Sequence, residues 1–185
     1  MMTAGLVLAA GEGRRYGMPK ALVRHRGKLL VEHAVETLRL GGVADGVVVL
    51  GAAAERVRAA APGLAGTVVN PGWSSGMGSS LRAGLAALEG TGAQAAVVLL
   101  VDMPGVTPEA VRRIAGHASP DALVMGGYGE RRGHPVLLGR EHWAGVAATA
   151  TGDRGARDYL RAHDVLVVPV GDVADDTDMD VPADA

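Results

Sequence analysis

Ala4–Ala10 reads AGLVLAA and runs without a break into Gly11-Glu12-Gly13-Arg14-Arg15-Tyr16-Gly17-Met18-Pro19-Lys20. A short apolar run that ends in a Gly-rich turn is a buried strand feeding a loop. The pattern recurs. Gly46–Leu50 (GVVVL), Gly66–Val69 (GTVV), Ala95–Val101 (AAVVLLV) and Ala122–Met125 read as strands. Between them, Val31–Leu40, Ala53–Ala61, Ser79–Leu88 and Thr107–His117 read as helices, with Ser79 and Thr107 as N-caps and Pro108 in the last one's first turn. The strands are apolar throughout rather than alternating, so both faces are buried, as in a parallel sheet covered by helices. The expected fold is α/β: a three-layer open, mostly parallel, Rossmann-like sheet with right-handed crossovers, built as one domain over residues 1–185. Gly126–Leu138 (GGYGERRGHPVLL) departs from this pattern and reads as a small antiparallel hairpin insertion near the site. Asp153–His163 reads as a last helix and Val165–Val170 as a last strand.

Composition narrows the chemistry. Hydrophobic residues make up 48% and charged residues 21%, a globular balance. Aromatics are 3% with no Phe, so the core must be Ala, Val and Leu. With no cysteine, a disulfide scaffold, an iron–sulfur cluster, a Cys-ligated zinc and a Cys nucleophile are excluded. No apolar run approaches the roughly 20 residues of a membrane span, and no basic segment with a cleavage site opens the chain. A cytoplasmic protein is therefore expected. The net charge of −2 argues against a general nucleic-acid binder. The charges are segregated, however. Residues 1–28 hold six basic residues against Glu12, and the last fourteen hold six Asp with no Lys or Arg. This suits a phosphate-rich ligand, with carboxylates to hold its metal.

The loop after the first strand carries the chemistry. Ligands of open α/β sheets bind beyond the carboxyl ends of the strands. A Gly-rich loop there turns backbone N–H groups onto phosphate oxygens, and Arg15 and Lys20 neutralise the charge. A P-loop is excluded because Ala21, not Ser or Thr, follows Lys20. The dinucleotide fingerprint is broken, since Tyr16 stands at the third glycine place, which argues against a nicotinamide-dependent oxidoreductase. Lys20 is one of two lysines in a chain with sixteen arginines.

The motif L-A-A-G-x-x-x-R-x-G-x-P-K resembles the signature of the nucleotidyltransferases of molybdenum cofactor biosynthesis, the MobA-like NTP transferases. Further motifs are similar in the same order. They are Asn70–Leu81 (NPGWSSGMGSSL), Val101–Pro104 (VDMP), Arg132–Val136 (RGHPV), Gly152–Arg157 (GDRGAR) and Asp178–Asp184 (DMDVPAD). The LAAG start and the Gly-His-Pro motif resemble the molybdopterin cytidylyltransferase branch, whereas the guanylyl branch usually starts LAGG. Gly13, Tyr16, Met103 and Val181 stand where the family often has Ser, Met, Gln and Thr.

The resemblance implies Mg²⁺-dependent transfer of CMP from CTP to molybdenum-loaded molybdopterin, with release of pyrophosphate, and a molybdoenzyme as client. A related transferase using GTP or a phosphosugar acceptor is the nearest alternative. A non-catalytic cofactor chaperone is another, though it has no need of Lys20, Asp102 and Asp180 together. Arg15, Lys20 and Asp102 are the expected catalytic groups. Asp102 and Asp180 are the expected metal ligands, with Asp178 as runner-up to Asp180. Leu8, Ala9, Ala10, Gly11, Gly13, Arg15, Lys20, Asn70, Gly78 and Ser80 are expected around the nucleotide. His134 and Arg157 are expected at the acceptor, with His134 equally placed to hold the hairpin.

Overall fold

The structure, a computed structural model, describes residues 1–43 and 45–180. Its elements follow in chain order. The first stretch is β1 (Met2–Ala9), β2 (Arg24–His25), β3 (Lys28–Leu29), α1 (Leu30–Leu40), β4 (Gly46–Leu50), α2 (Ala54–Ala60), β5 (Thr67–Val69) and α3 (Met77–Glu89). The second is β6 (Ala93–Leu100), α4 (Pro108–Ala115), β7 (Leu123–Tyr128), β8 (Arg131–Gly139), α5 (Trp143–Thr149), α6 (Arg157–Arg161) and β9 (Leu166–Pro169). Among the described residues the main sheet has the order β5-β4-β1-β6-β8-β7-β9. β8 alone runs against the others, pairing antiparallel with β6 and β7. β2 and β3 form a separate two-stranded antiparallel sheet.

Strand pleating explains the three layers, because successive side chains point to opposite faces. Leu6 and Leu8 pack with Leu81, Leu85 and Leu88 of α3 and Val146 of α5. Val7 and Ala9 pack with Val31, Ala34 and Leu38 of α1 and Val111 and Ile114 of α4. Small and branched aliphatics fill most of both cores, but Trp143 is buried in the one on the α3 side, an aromatic the composition did not lead one to expect there.

The strand order reverses at β1: β4 and β5 lie on one side, β6 on the other. The loops after β1 and β6 therefore open from neighbouring strands, with Val7 paired to Leu99 and Leu8 to Leu100. Such a crevice is where open α/β sheets bind ligands.

Several local expectations change. The antiparallel hairpin expected at Gly126–Leu138 is present as β7 and β8, and β8 wedges between β6 and β7 as a full member of the main sheet. Ser79 lies inside α3, which is capped instead by Gly76 at φ 113°, a conformation that favours glycine. The Ser79 hydroxyl donates to the Gly72 and Gly76 carbonyls. The helix expected over 153–163 is only α6, because turns occupy residues 152–153 and 155–156. The α5 helix was not foreseen. Thr107 does cap α4, accepting from Ala110 N at 3.3 Å.

Leu6 is fully buried beneath α3. Leu6→Ala is expected to cost roughly 2–5 kcal/mol of stability, measured by urea unfolding.

Candidate active site

Lys20 opens a short 3-10 turn, directly after Pro19. Its Nζ donates to Asp102 Oδ2 at 2.9 Å and to Asp180 Oδ1 at 3.3 Å. Asp102 stands just beyond β6, and Asp180 comes from the segment after β9. Asp178 joins them: Asp102, Asp178 and Asp180 each offer a carboxylate oxygen within 4.8 Å of the others. Met179 N donates to the Asp102 carbonyl at 2.9 Å, which pins the acidic segment to the β6 turn. The Lys20 and Asp102 side chains are 16% and 21% exposed. Val181, Pro182, Ala183 and Asp184 of the closing motif lie outside the described residues.

The electrostatics follow. Burial pulls the Lys20 ammonium down, but the hydrogen bonds and charges of Asp102 and Asp180 outweigh it and hold it above the ordinary lysine value. Burial, then the charges of Asp102 and Asp180, push the Asp178 carboxyl up. Three carboxylates beside one ammonium make a site short of positive charge. The donors are all oxygen, the set that hard divalent cations such as Mg²⁺ and Mn²⁺ take. The residues fit such an ion.

Two clefts meet here. The first, about 610 Å³, is lined by the Leu8–Arg15 loop, Lys20, Trp73, Met77, Ser80 and the three aspartates. In its loop Gly13 has φ 65°, and a Cβ there would lie on the Met18 carbonyl oxygen, so only glycine fits. The second cleft, about 860 Å³, is lined by Arg131, Arg132, His134, Arg154, Arg157 and Arg161 above an aliphatic floor that includes Leu81, Val98 and Val136. Leu8, Met77, Leu100, Asp153 and Asp178 line both. The acidic cluster therefore stands at the junction. An anion in one cleft and an anion in the other would meet beside the same cation.

Most sequence candidates gather in these clefts: Leu8, Ala9, Ala10, Gly11, Gly13, Arg15, Lys20, Ser80, Asp102 and Asp180 in the first, and His134 and Arg157 in the second. Asn70 and Gly78 do not line either one. The Asn70 amide donates to Ser79 Oγ at 2.8 Å and Ser80 Oγ at 3.0 Å, and its Oδ1 accepts from Gly72 N. Gly78 N donates to the Gly152 carbonyl at 2.8 Å. Both brace the second loop from behind. Burial pushes the His134 imidazole down to about 4, against the pull of Asp176 and Asp102, so the ring is neutral at pH 7. It lines the second cleft while its own carbonyl accepts from the Tyr128 hydroxyl, so it serves both the cleft and the hairpin. Arg131, Asp153 and Asp176 were missed. Arg131 stood beside a motif that drew attention to Gly133-His134-Pro135 instead, and the two acids carried no spacing signal.

Asp178 gives a test by pH. Its carboxyl titrates higher in the folded chain than its unfolded value of about 3.8, so the folded state holds this proton more tightly. Stability therefore falls as pH rises out of that range, and at neutral pH the charged form is a cost. Asp178→Asn is expected to raise Tm of the metal-free protein at pH 7, with the gain shrinking toward pH 4; thermal melts across pH measure it.

Comparison with known proteins bears out the fold and family. Residues 5–166 match the model of the MobA-like NTP transferase domain. A relative from Paenarthrobacter nicotinovorans, nicotine blue oxidoreductase, is 42% identical over 174 residues, covering 88% of this chain and 83% of its own. A probable molybdenum cofactor guanylyltransferase of Opitutus terrae is 39% identical over 104 residues, 56% of this chain and 49% of its own. Among solved structures, Rv0371c of Mycobacterium tuberculosis superposes with a TM-score of 0.79 at 30% identity, covering 96% of this chain and 93% of its own. A structure of Rv0371c complexed with manganese superposes with a TM-score of 0.75 at 29% identity, covering 97% and 94%. With the family model matching residues 5–166 and these relatives similar along the chain, the chain belongs to the MobA-like NTP transferase family and is a nucleotidyltransferase of that type.

Proposed function

We propose that the protein transfers CMP from CTP to molybdenum-loaded molybdopterin and releases pyrophosphate, with Mg²⁺ as its ion. The observation that carries this reading is the meeting of Lys20, Asp102, Asp178 and Asp180 where the two clefts join. An oxygen of the acceptor phosphate attacks the α-phosphorus of CTP, a P–O bond forms, and the bond to the β-phosphate breaks. Both reactants are anions, so the protein's task is to position them and neutralise charge. Mg²⁺, when bound, screens the phosphates and stabilises the charge that develops at the α-phosphorus. Asp102, Asp178 and Asp180 would hold it. Lys20 and Arg15 grip the triphosphate and the departing pyrophosphate from the loop. In the second cleft Arg157 and its neighbouring arginines draw in the acceptor phosphate, and neutral His134 is a hydrogen-bonding partner rather than a charge. The aliphatic floor suits a flat ring system such as a pterin.

Choice of CTP over GTP rests on Ala10. It lines the first cleft, buried beside Trp73 and Gly51. A Cβ on Gly51 would come within 2.5 Å of Trp73 and 2.9 Å of Ala10, so this corner is packed tight. A methyl at position 10 leaves less room for a base, which suits a pyrimidine. Support for the acceptor comes from the molybdenum cofactor relative.

The similarity to nicotine blue oxidoreductase favours a second reading, oxidoreduction of nicotine blue or a compound like it in the second cleft. The broken glycine fingerprint and the acidic cluster both speak for nucleotide transfer instead.

A pyrophosphate-release assay with Mg²⁺, molybdenum-loaded molybdopterin and each of CTP, GTP, UTP and ATP tests the proposal. Release with CTP is expected, lost in Asp102→Ala and lowered roughly a hundredfold in Lys20→Ala. Ala10→Gly is expected to shift preference toward GTP. No release with any nucleotide, together with NADH or NADPH oxidation in the presence of nicotine blue, would decide for the second reading.

A further inference from the structure

The segment that brings Asp178 and Asp180 to Asp102 is clamped by a buried carboxylate. Asp176 is 8% exposed, the one charged side chain in the buried set of the described residues. Its two oxygens take a forked pair from Arg131: Nη1 to Oδ2 at 3.1 Å and Nη2 to Oδ1 at 2.9 Å. Arg131 is the first residue of β8, and its guanidinium lies 5.4 Å from the centre of the Tyr128 ring across the hairpin.

The fit around this pair leaves no slack. A Cβ on Gly133 would sit 2.0 Å from Asp176 Oδ2. On the other side, Asp175 N donates to the Gly105 carbonyl at 3.0 Å, and a Cβ on Gly105 would lie 2.5 Å from the Asp175 oxygen. The chain at 175–176 thus threads a slot between the β6–α4 turn and β8. Asp178 follows two residues later and Asp180 four. An extended chain advances roughly 3.3 Å per residue, so Asp178 stands within about 7 Å of chain from the Asp176 clamp, between it and the Met179 amide bonded to the Asp102 carbonyl. A buried carboxylate stripped of its one ion-pair partner among the described residues is strongly unfavourable, so loss of Arg131 would drive Asp176 out of its slot.

We infer that Arg131 is a positioning residue: through Asp176 it sets where Asp178 and Asp180 stand, and so how tightly the acidic cluster holds a divalent cation. This rests on the cluster being a cation site. Because Arg131 lines the second cleft, one guanidinium ties the wall of that cleft to the cation ligands.

The same segment offers an internal control. Arg113 makes a similar fork to Asp172, at 2.8 and 3.0 Å, closer to β9 and away from the cluster. Both pairs attach the segment to the body of the protein, but only the Arg131 pair sits beside the ligands.

The experiment is Mn²⁺ binding to the full chain without nucleotide, followed by electron paramagnetic resonance of the free ion, with thermal melts of every variant. Arg131→Ala is expected to weaken Mn²⁺ binding about tenfold or more, the usual scale for groups that orient metal ligands. Arg131→Lys, which keeps the charge but loses the fork, should fall between it and wild type. Arg113→Ala should lower Tm yet leave Mn²⁺ affinity within about twofold. Should Arg131→Ala fail to fold, the Arg131→Lys and Asp176→Asn variants carry the same comparison. Wild-type affinity in the Arg131 variants overturns the inference, as does an equal loss in Arg113→Ala. If wild type binds no Mn²⁺, the cation reading itself fails and takes the inference with it.

Discussion

Three carboxylates held within 4.8 Å of one another repel, and much of this structure serves to keep them there. At such separations each pair costs roughly 1 to 4 kcal/mol, depending on how much water screens it. Lys20 offsets part of that cost with contacts to two of the three. The rest is borne by the backbone. The Met179 amide on the Asp102 carbonyl and the Asp175 amide on the Gly105 carbonyl hold the acidic segment against the β6 turn whatever its charge state. A cluster arranged in this way has spare negative charge and a ready place for a divalent cation.

The sheet makes this arrangement possible. β1 and β6 are adjacent and parallel, so the loop that carries Lys20 and the turn that carries Asp102 leave the sheet side by side. β8, wedged between β6 and β7, carries Arg131 and His134 to the neighbouring cleft. The single antiparallel strand thus supplies Arg131, His134 and Val136 to the lining of the second cleft, while the parallel strands supply the loop of the first. A two-substrate reaction between anions needs both: a cleft for each partner, and a place for a cation where they touch.

Much of this was legible in the sequence, for identifiable reasons. Buried parallel strands read as unbroken apolar runs, and β1, β4 and β6 were found on that ground. Pro108 after Thr107 announced the cap of α4. Asp102, at the end of the most apolar strand, stood out because an acid there has no place in a core. Other features failed for equally physical reasons. Ser79 had the chemistry of a cap, but the positive φ at Gly76 puts the cap three residues earlier. Asn70 had the chemistry of a base-reading amide, but its hydrogen-bonding capacity is turned inward to Ser79, Ser80 and Gly72. Asp176 looked like one more acid in an acidic segment, and only burial beside Arg131 distinguishes it.

By itself the sequence determined the alternation of strand and helix, the glycine-rich loop ending in a lone lysine, and the acids available to face it. These follow from local spacing, because burial on a strand or a helix imposes a period that survives in the order of residues. The tertiary structure decided which of them meet. Lys20 touches partners 82 and 160 positions away, and no local pattern encodes a contact at that range. Strand order and the direction of each crossover bring those residues together. They are set by how two apolar faces of one sheet can be covered at once, a constraint on the whole chain and not on any segment of it.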